Sequence, residues 1–345
     1  MTTRIFIWLL WFALCLHADE VDRIVNEEMR QQHIPGVSVG VMRDGRLIKA
    51  RGYGYANLEL SVPVTSDTVF AIGSISKQFI AAGILLLVQD GKLNVDDRVS
   101  QYLEDAPPSW SGITIRHLLT HTSGLVRESP DFQYIVAKPD IDLIRKAYSV
   151  ALEFPAGARY QYCNLGFFIL AEIMHRLAGK PWPEFLNDRI FAPLEMEFTR
   201  TTTHLELVRN RASSYDWKEE RFVHAPALLT VRPSGALLSN VIDIAKWDAA
   251  LYGGGPLSEE SKKQSWTPLR LNDGNTYPYG FGWSLQPYKG RRAVEHGGSL
   301  QGFTSYFQRL PEDRLSVVVL TNGRQAKPGR IVERIADEYL NRGTK

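Results

Sequence analysis

Residues 74–89, SISKQFIAAGILLLVQ, constrain the fold more than any other stretch of the 345-residue chain. The run has helical length, is apolar on most of its faces and is closed by Asp90-Gly91, a pair suited to a helix end. A helix that is apolar nearly all round cannot lie on a surface, so other elements must enclose it. A chain of this length buries roughly three quarters of its unfolded surface, enough to enclose such a helix without disulfide or metal staples.

The flanking patterns say what does the enclosing. Asp19 to Gln32 spaces Val21, Ile24, Val25 and Met29 at helical intervals, and Pro35-Gly36 stops the helix. Val37, Val39 and Val41 then alternate, Asp44-Gly45 supplies a hairpin turn, and Leu47 to Tyr55 returns. The middle is helical over Ile115 to His121, Leu165 to Leu177 and Val241 to Leu251, with breaks at Ala106-Pro107-Pro108 and Gly253-Gly254-Gly255-Pro256. Strands return at Phe303 to Leu310 and Leu315 to Thr321 around Pro311-Glu312-Asp313, and Pro328 to Leu340 reads as a last helix. No repeat and no linker divides the chain. The pattern predicts an α+β fold: an antiparallel sheet built from both termini and flanked by helices, with a mostly helical insertion lobe. A cleft between sheet and insertion is the expected site.

The first eighteen residues have a different character. Arg4 precedes twelve uncharged residues, Ile5 to Leu16, and small Ala18 is followed by Asp19 and Glu20. That order is expected of a secretory signal peptide over 1–18, cleaved after Ala18, with one two-lobed domain over 19–345 and a secreted or periplasmic location. As a retained anchor, twelve residues would rise only about 18 Å against a bilayer core of about 30 Å. Cys15 follows bulky Leu14 rather than the small residue that lipidation needs. Cleavage would leave Cys163 alone, hence no internal disulfide, and no later run of spanning length, hence no stable membrane insertion. With 40 Lys+Arg against 38 Asp+Glu, the +2 net charge gives no broad cationic field for nucleic acid.

The chemistry-bearing patterns are short. Ser74-Ile-Ser-Lys77 is the one Ser-x-x-Lys in the chain, and positions i and i+3 share a helix face, so the amine can reach the hydroxyl. At a helix start the free N–H groups suit a developing oxyanion, and apolar surroundings lower a lysine toward a usable base. Ser76 has Phe79, not lysine, three residues on. Tyr-x-Asn occurs at Tyr55-Asn57, Tyr162-Asn164 and Tyr339-Asn341; only the middle copy sits on a loop opening a helix, where a phenol can face a cleft. His296-Gly297-Gly298 is the one His-x-Gly, with glycines that let a substrate backbone approach and Ser299 adding an N–H; its plainer reading is a glycine turn. Lys327-Pro328-Gly329, a rival Lys-x-Gly, suits the opening of the last helix.

Two further patterns compete. Gly36-Val-Ser38-Val-Gly40 matches the nucleophile elbow Gly-x-Ser-x-Gly, but the alternating valines make Ser38 a strand residue rather than a strand-to-helix turn. His117 and His121 stand four apart, without the glutamate or third ligand of a zinc site, and read as packed histidines. Gly52-Tyr53-Gly54 lacks the third glycine of a dinucleotide loop. No metal or cofactor is expected.

Ser74-x-x-Lys77, Tyr162-x-Asn164 and His296-x-Gly298, in that order and separated by about 90 and about 130 residues, resemble the serine β-lactamase and penicillin-binding-protein superfamily in its class C β-lactamase-like branch. That branch includes D-peptidases, D-aminopeptidases and esterases. Thr114 to Gly124, Pro233 to Ser239, Tyr279-Gly-Phe-Gly-Trp283 and Leu320-Thr-Asn322 extend the resemblance from Ile34 almost to the C-terminus. It implies a β-lactamase-like fold, Ser74 as acylated nucleophile, Lys77 as base or relay, and Tyr162 as proton shuttle. It also implies that Asn164 binds the substrate amide, that the N–H groups of Ser74 and Ser299 form the oxyanion hole, and that His296, Gly298 and Ser299 belong to the substrate-binding residues. Whether Lys77 or Tyr162 takes the first proton stays open. His296 stands where β-lactamases carry lysine, and Cys163 where a serine is common. Histidine is partly charged near neutral pH, which makes His296 the expected specificity switch.

The implied activity is an exported serine hydrolase acting on an ester or peptide amide. A true β-lactamase, and a non-turning-over binder of penicillin or cell-wall peptide, are the alternatives; an elbow enzyme using Ser38 is a third. The partners are small ester, peptide or β-lactam substrates.

Overall fold

The computed structural model describes residues 19–130, 132–133, 138–203, 206–226 and 232–342. The expected signal peptide, Arg4 and Cys15 included, lies outside the described residues.

The chain opens with α1 (Glu20–Gln32), whose first turn is capped by the Asp19 carboxylate accepting from the Val21 N–H. His33, with φ 53°, ends it before Pro35. Next come β1 (Gly36–Arg43) and β2 (Arg46–Asn57), joined by Asp44 and Gly45, both at positive φ as a two-residue hairpin turn requires. After the short β3 (Val62–Pro63) the chain reaches α2 (Ser76–Gln89). The helical region follows, with α3 (Leu165–Ala178) and α4 (Val241–Tyr252) its longest members. Then come β4 (Val294–Leu300), β5 (Phe303–Leu310) and β6 (Leu315–Thr321), and the terminal helix α5 (Pro328–Arg342).

One six-stranded antiparallel sheet takes strands from both ends, in the order β4-β5-β6-β1-β2-β3. The join is β1 with β6, which pairs Val37 with Thr321 and Arg43 with Leu315. Period-2 alternation then divides the sheet into two buried faces. Val37, Val39 and Val41 meet Val317 and Val319 on one face, under Val21, Ile24 and Val25 of α1 and Ile331, Val332 and Ile335 of α5. Met42, Val318 and Leu320 point the other way, into the larger core that holds α2, α3 and α4. Gly40 leaves room on that face for Val241 of α4. Every residue of α2 from Ser76 to Leu87 is buried, the enclosure that its composition demands.

Three local differences from the sequence expectation bear on the site. Ser74 lies in a single 3-10 turn, Gly73–Ile75, and the α-helix proper starts at Ser76. The helix expected to reach His121 stops at Leu119, because His121 takes φ 58°. Residues around His296 form an edge strand, not a turn; their two glycines hide the alternation that marks strands. Ser38 is a buried strand residue with its hydroxyl on the Thr65 carbonyl, so no elbow exists there. No helix among the described residues is long and apolar enough to cross a membrane.

Candidate active site

The hydroxyl of Ser74 lies at the floor of a cleft of about 650 Å³, between the outer edge of β4 and the helical region. Two glycines bring its walls together. Gly73 has φ 56°, and a β-carbon there would come within 2.6 Å of the Ser299 nitrogen. A β-carbon on Gly298 would lie 2.0 Å from the Ile72 carbonyl oxygen, an atom that accepts from the Ser305 hydroxyl at 2.8 Å. The turn bearing Ser74 is thus pressed backbone to backbone onto β4. Glu295 exchanges both of its backbone hydrogen bonds with Ser284 on the outer side of that strand. By the alternation of an antiparallel strand, Gly297 and Ser299 direct their backbone groups to the same side. The Ser299 N–H therefore opens toward Ser74, a layout able to hold an oxyanion between two amides.

Lys77 sits one turn along, with its side chain fully buried. Its Nζ lies 3.2 Å from Ser74 Oγ, 2.8 Å from Asn164 Oδ1 and 2.6 Å from the Ser234 carbonyl oxygen. Burial drives Lys77 well below its ordinary 10.5; Glu128 opposes the shift, and Arg232 and Arg127 reinforce it. A neutral amine has two N–H bonds and one lone pair. Asn164 Oδ1 and the Ser234 carbonyl can only accept, so they use both N–H bonds and leave the lone pair for the Ser74 O–H. This geometry suits an amine that removes the hydroxyl proton.

Tyr162 covers this group. Its ring centroid is 4.8 Å from Lys77 Nζ and 5.3 Å from the Arg127 guanidinium carbon. Burial raises its phenol well above 10, partly offset by its side-chain hydrogen bond with Ser74, so the resting group is protonated. Asn164 opens α3, with its own N–H on the Arg127 carbonyl at 2.9 Å. Both ends of its amide are engaged, the oxygen by Lys77 and the nitrogen by the Glu128 carboxylate. Its first task here is to bridge Lys77 to Glu128, where the sequence resemblance implied a hand for the substrate. Cys163, between these two residues, is a buried free thiol pushed up to about 12 by desolvation.

His296 departs from expectation. It is buried, and desolvation lowers it from 6.5 to about 4, with Lys77, when protonated, a smaller cause in the same direction. The partly charged switch expected from its residue type is a neutral imidazole at physiological pH. Positive charge comes from elsewhere: Arg127 and Arg232, together with the exposed Arg324, Lys327 and Arg330, line the same cleft.

The remaining candidates separate cleanly. Ser76 accepts from the Leu237 N–H at 3.1 Å and is structural. His117 closes a capping box with Thr114, while His121 turns away from it to Cys163 and Tyr279. Among the described residues no cluster of three metal-ligating side chains occurs. Lys327 precedes α5, whose first residue is Pro328. Sequence reasoning did not single out Glu128, Ser234, Tyr279 or Ser305, and took His121 for packing. Ser234 and Tyr279 lie in stretches that carried the resemblance; Glu128 and Ser305 have no sequence signal of their own.

An activatable serine on this sheet-and-helix frame is the layout of a serine hydrolase, and residues 21–341 match the Beta-lactamase family, to which the chain belongs. It is 30% identical over 323 residues to Penicillin-binding protein 4* of Bacillus subtilis (strain 168), a match covering 86% of this chain and 70% of that protein. Protein flp of Staphylococcus aureus (strain MW2) is 25% identical over 332 residues, with 93% of this chain and 66% of the relative covered. The chain thus spans about two thirds of the length of these relatives. Among solved structures, the octameric penicillin-binding protein homologue from Pyrococcus abyssi superposes with TM-score 0.85 at 28% identity, covering 93% of this chain and 77% of the other. D-amino acid amidase from Ochrobactrum anthropi SV3, complexed with L-phenylalanine, gives TM-score 0.82 at 24% identity over 93% and 98% of the two chains, a likeness of fold.

Proposed function

We propose that this serine hydrolase is exported and works through an acyl-enzyme on Ser74, cleaving an ester or a peptide amide in the manner of a carboxylesterase or D-amino-acid peptidase. The observation that carries the reading is the Lys77 amine, buried, 3.2 Å from Ser74 Oγ, with both its N–H bonds used by neutral acceptors. In this reading the Lys77 lone pair takes the Ser74 proton as Oγ attacks the substrate carbonyl. The developing oxyanion is held by the N–H groups of Ser74 and Ser299. The Tyr162 phenol gives its proton to the departing alkoxide or amine, and the phenolate left beside protonated Lys77 is the base for the deacylating water. The charged, then apolar, then small-residue order of 1–18 supports export.

A fluorophosphonate probe followed by intact-mass analysis tests the nucleophile: one adduct on the wild type and none on Ser74→Ala is the expected result, and equal labelling of both rejects the assignment. Mass analysis of the secreted product, expected to begin at Asp19, tests export. A panel of short-chain nitrophenyl esters, D-Ala-terminated peptides and a chromogenic cephalosporin ranks the substrates. A second reading, a β-lactamase or slow β-lactam binder, is favoured by Arg324 and Lys327, which supply a carboxylate-bearing ligand with the charge that neutral His296 lacks. Cephalosporin turnover above ester turnover would select it.

A further inference from the structure

Behind the cleft, three side chains form a chain of hydrogen bonds that the proposed reaction does not use. His121 Nε2 is 3.1 Å from the Tyr279 hydroxyl, and that hydroxyl is 3.0 Å from His296 Nε2. The direction of the chain follows from its two ends. At one end the Cys163 N–H points at His121 Nδ1 at 3.1 Å. A backbone N–H can only donate, so Nδ1 is bare, His121 is neutral, and its proton is on Nε2, donated to Tyr279. At the other end His296 Nδ1 lies 2.6 Å from the Gly297 carbonyl oxygen, which can only accept, so that nitrogen carries a proton. The Tyr279 hydroxyl, already accepting from His121, then donates to a bare His296 Nε2.

We propose that His121 and Tyr279 are positioning residues that hold His296 as the neutral Nδ1–H tautomer, so that the place where β-lactamase relatives carry lysine presents a fixed dipole instead of a cation. The alternative state fails on its own bonds. A second proton on His296 would make Nε2 a donor to the Tyr279 oxygen and leave the Tyr279 proton without an acceptor in the chain. The surroundings agree. Burial opposes a second positive charge, protonated Lys77 on α2 would add to that opposition, and the Tyr162 ring, with its centroid 6.2 Å away, offers no carboxylate. Glu295, the next residue along β4, accepts from Gln308 on the opposite face of the strand. The His121 ring also packs against Tyr162, with the ring centroids 4.3 Å apart. The relay steadies the β4 edge: the Gly297 carbonyl gives one lone pair to His296 and keeps one for a bound molecule. The inference adds to the hydrolase reading, and its first test needs no turnover.

Long-range proton–nitrogen NMR on the full chain labelled with 15N-histidine reads each tautomer directly, with His296 assigned from the signal missing in His296→Gln. The expected wild-type spectrum at pH 7 shows His296 protonated at Nδ1 and His121 at Nε2, with neither titrating between pH 5 and pH 8. In Tyr279→Phe, which removes the donor to Nε2 while the Gly297 carbonyl still holds Nδ1–H, the His296 Nε2 signal is expected to shift and to take up a proton within that window. A wild-type His296 that carries its proton on Nε2, or that titrates there, overturns the relay even if the variant fails to fold. So does a folded Tyr279→Phe spectrum in which His296 is unchanged. Should labelling of Ser74 fail while these spectra hold, the relay stands and the hydrolase reading falls. As a kinetic companion, KM for an anionic ester relative to a neutral ester is expected to drop about fivefold from pH 8 to pH 5.5 in Tyr279→Phe and to stay level in the wild type; equal ratios in both overturn the link to specificity.

Discussion

The Lys77 and Arg309 side chains are both fully buried, and they are buried in opposite ways. Arg309 on β5 donates to the Asp248 carboxylate at 2.6 Å, in an ion pair with no exposure on either side, and Ser316 donates to the same carboxylate oxygen at 2.7 Å. The rings of Tyr252 and Trp266 cover the guanidinium at 4.6 and 5.1 Å. Lys77, equally buried, is surrounded by a hydroxyl, an amide oxygen and a backbone carbonyl, and its nearest carboxylate, Glu128, is reached through Asn164. A guanidinium keeps its charge and must be given a counter-charge. An amine can discard its proton, so neutral acceptors suffice and a reactive lone pair results. The first arrangement holds helix α4 to the sheet; the second holds a base next to a hydroxyl.

Substitutions should split the two sites apart. Replacing Lys77 by methionine is expected to lower kcat/KM on a reactive ester by at least about 10³-fold. Its melting temperature should move by only a few degrees, since relief of the desolvated amine offsets two acceptors losing their donor. A loss under tenfold would remove Lys77 from the mechanism. Asp248→Asn leaves a buried cation without its counter-charge and should cost about 3–5 kcal/mol in urea unfolding, with kcat of the folded fraction nearly intact. An equal fall in kcat would mean that the two sites are coupled. Gly73→Ala forces a β-carbon toward the Ser299 nitrogen at a positive φ, and about a 10²-fold loss in kcat is expected, with KM changing less.

The pH dependence of stability sharpens the same contrast. Lys77 is lowered on folding, so between its folded value and 10.5 the unfolded chain binds a proton that the folded chain lacks. Stability therefore rises with pH through that window, by up to about 1.4 kcal/mol per pH unit, and the rise should vanish in Lys77→Met. A parallel slope in both proteins would mean a charged lysine at rest. The smallest effect is expected at the cleft mouth: Lys327→Ala should raise KM for a carboxylate-bearing substrate about threefold and leave that for a neutral ester alone.

Legibility followed locality. The alternation of Val37, Val39 and Val41, the Asp44-Gly45 turn and the apolar run of α2 are written in neighbouring residues, and the structure follows them closely. Phe303–Leu310 and Leu315–Thr321 match their expected bounds residue for residue. Ser74 and Lys77 share a face because their spacing is local. What escaped was made by distant partners. The neutral state of His296 comes chiefly from burial, which only the tertiary fold creates. His121 looked like packing because its partners, Cys163 and Tyr279, lie far along the chain. β4 was hidden by Gly297 and Gly298, whose value is the absence of side chains where two backbones meet.

That meeting of backbones also sets when the protein becomes reactive. Ser74 and Lys77 are made early, whereas Ser299 and the strand that carries it are made about 220 residues later. The central strand β1 must likewise wait for β6, since Val37 pairs with Thr321. Contacts of such sequence separation form slowly and late. A nascent or truncated chain can therefore hold a hydroxyl and an amine side by side and still lack the Ser299 amide and one wall of the cleft, so under the proposed mechanism acylating power arrives only with the closing of the sheet.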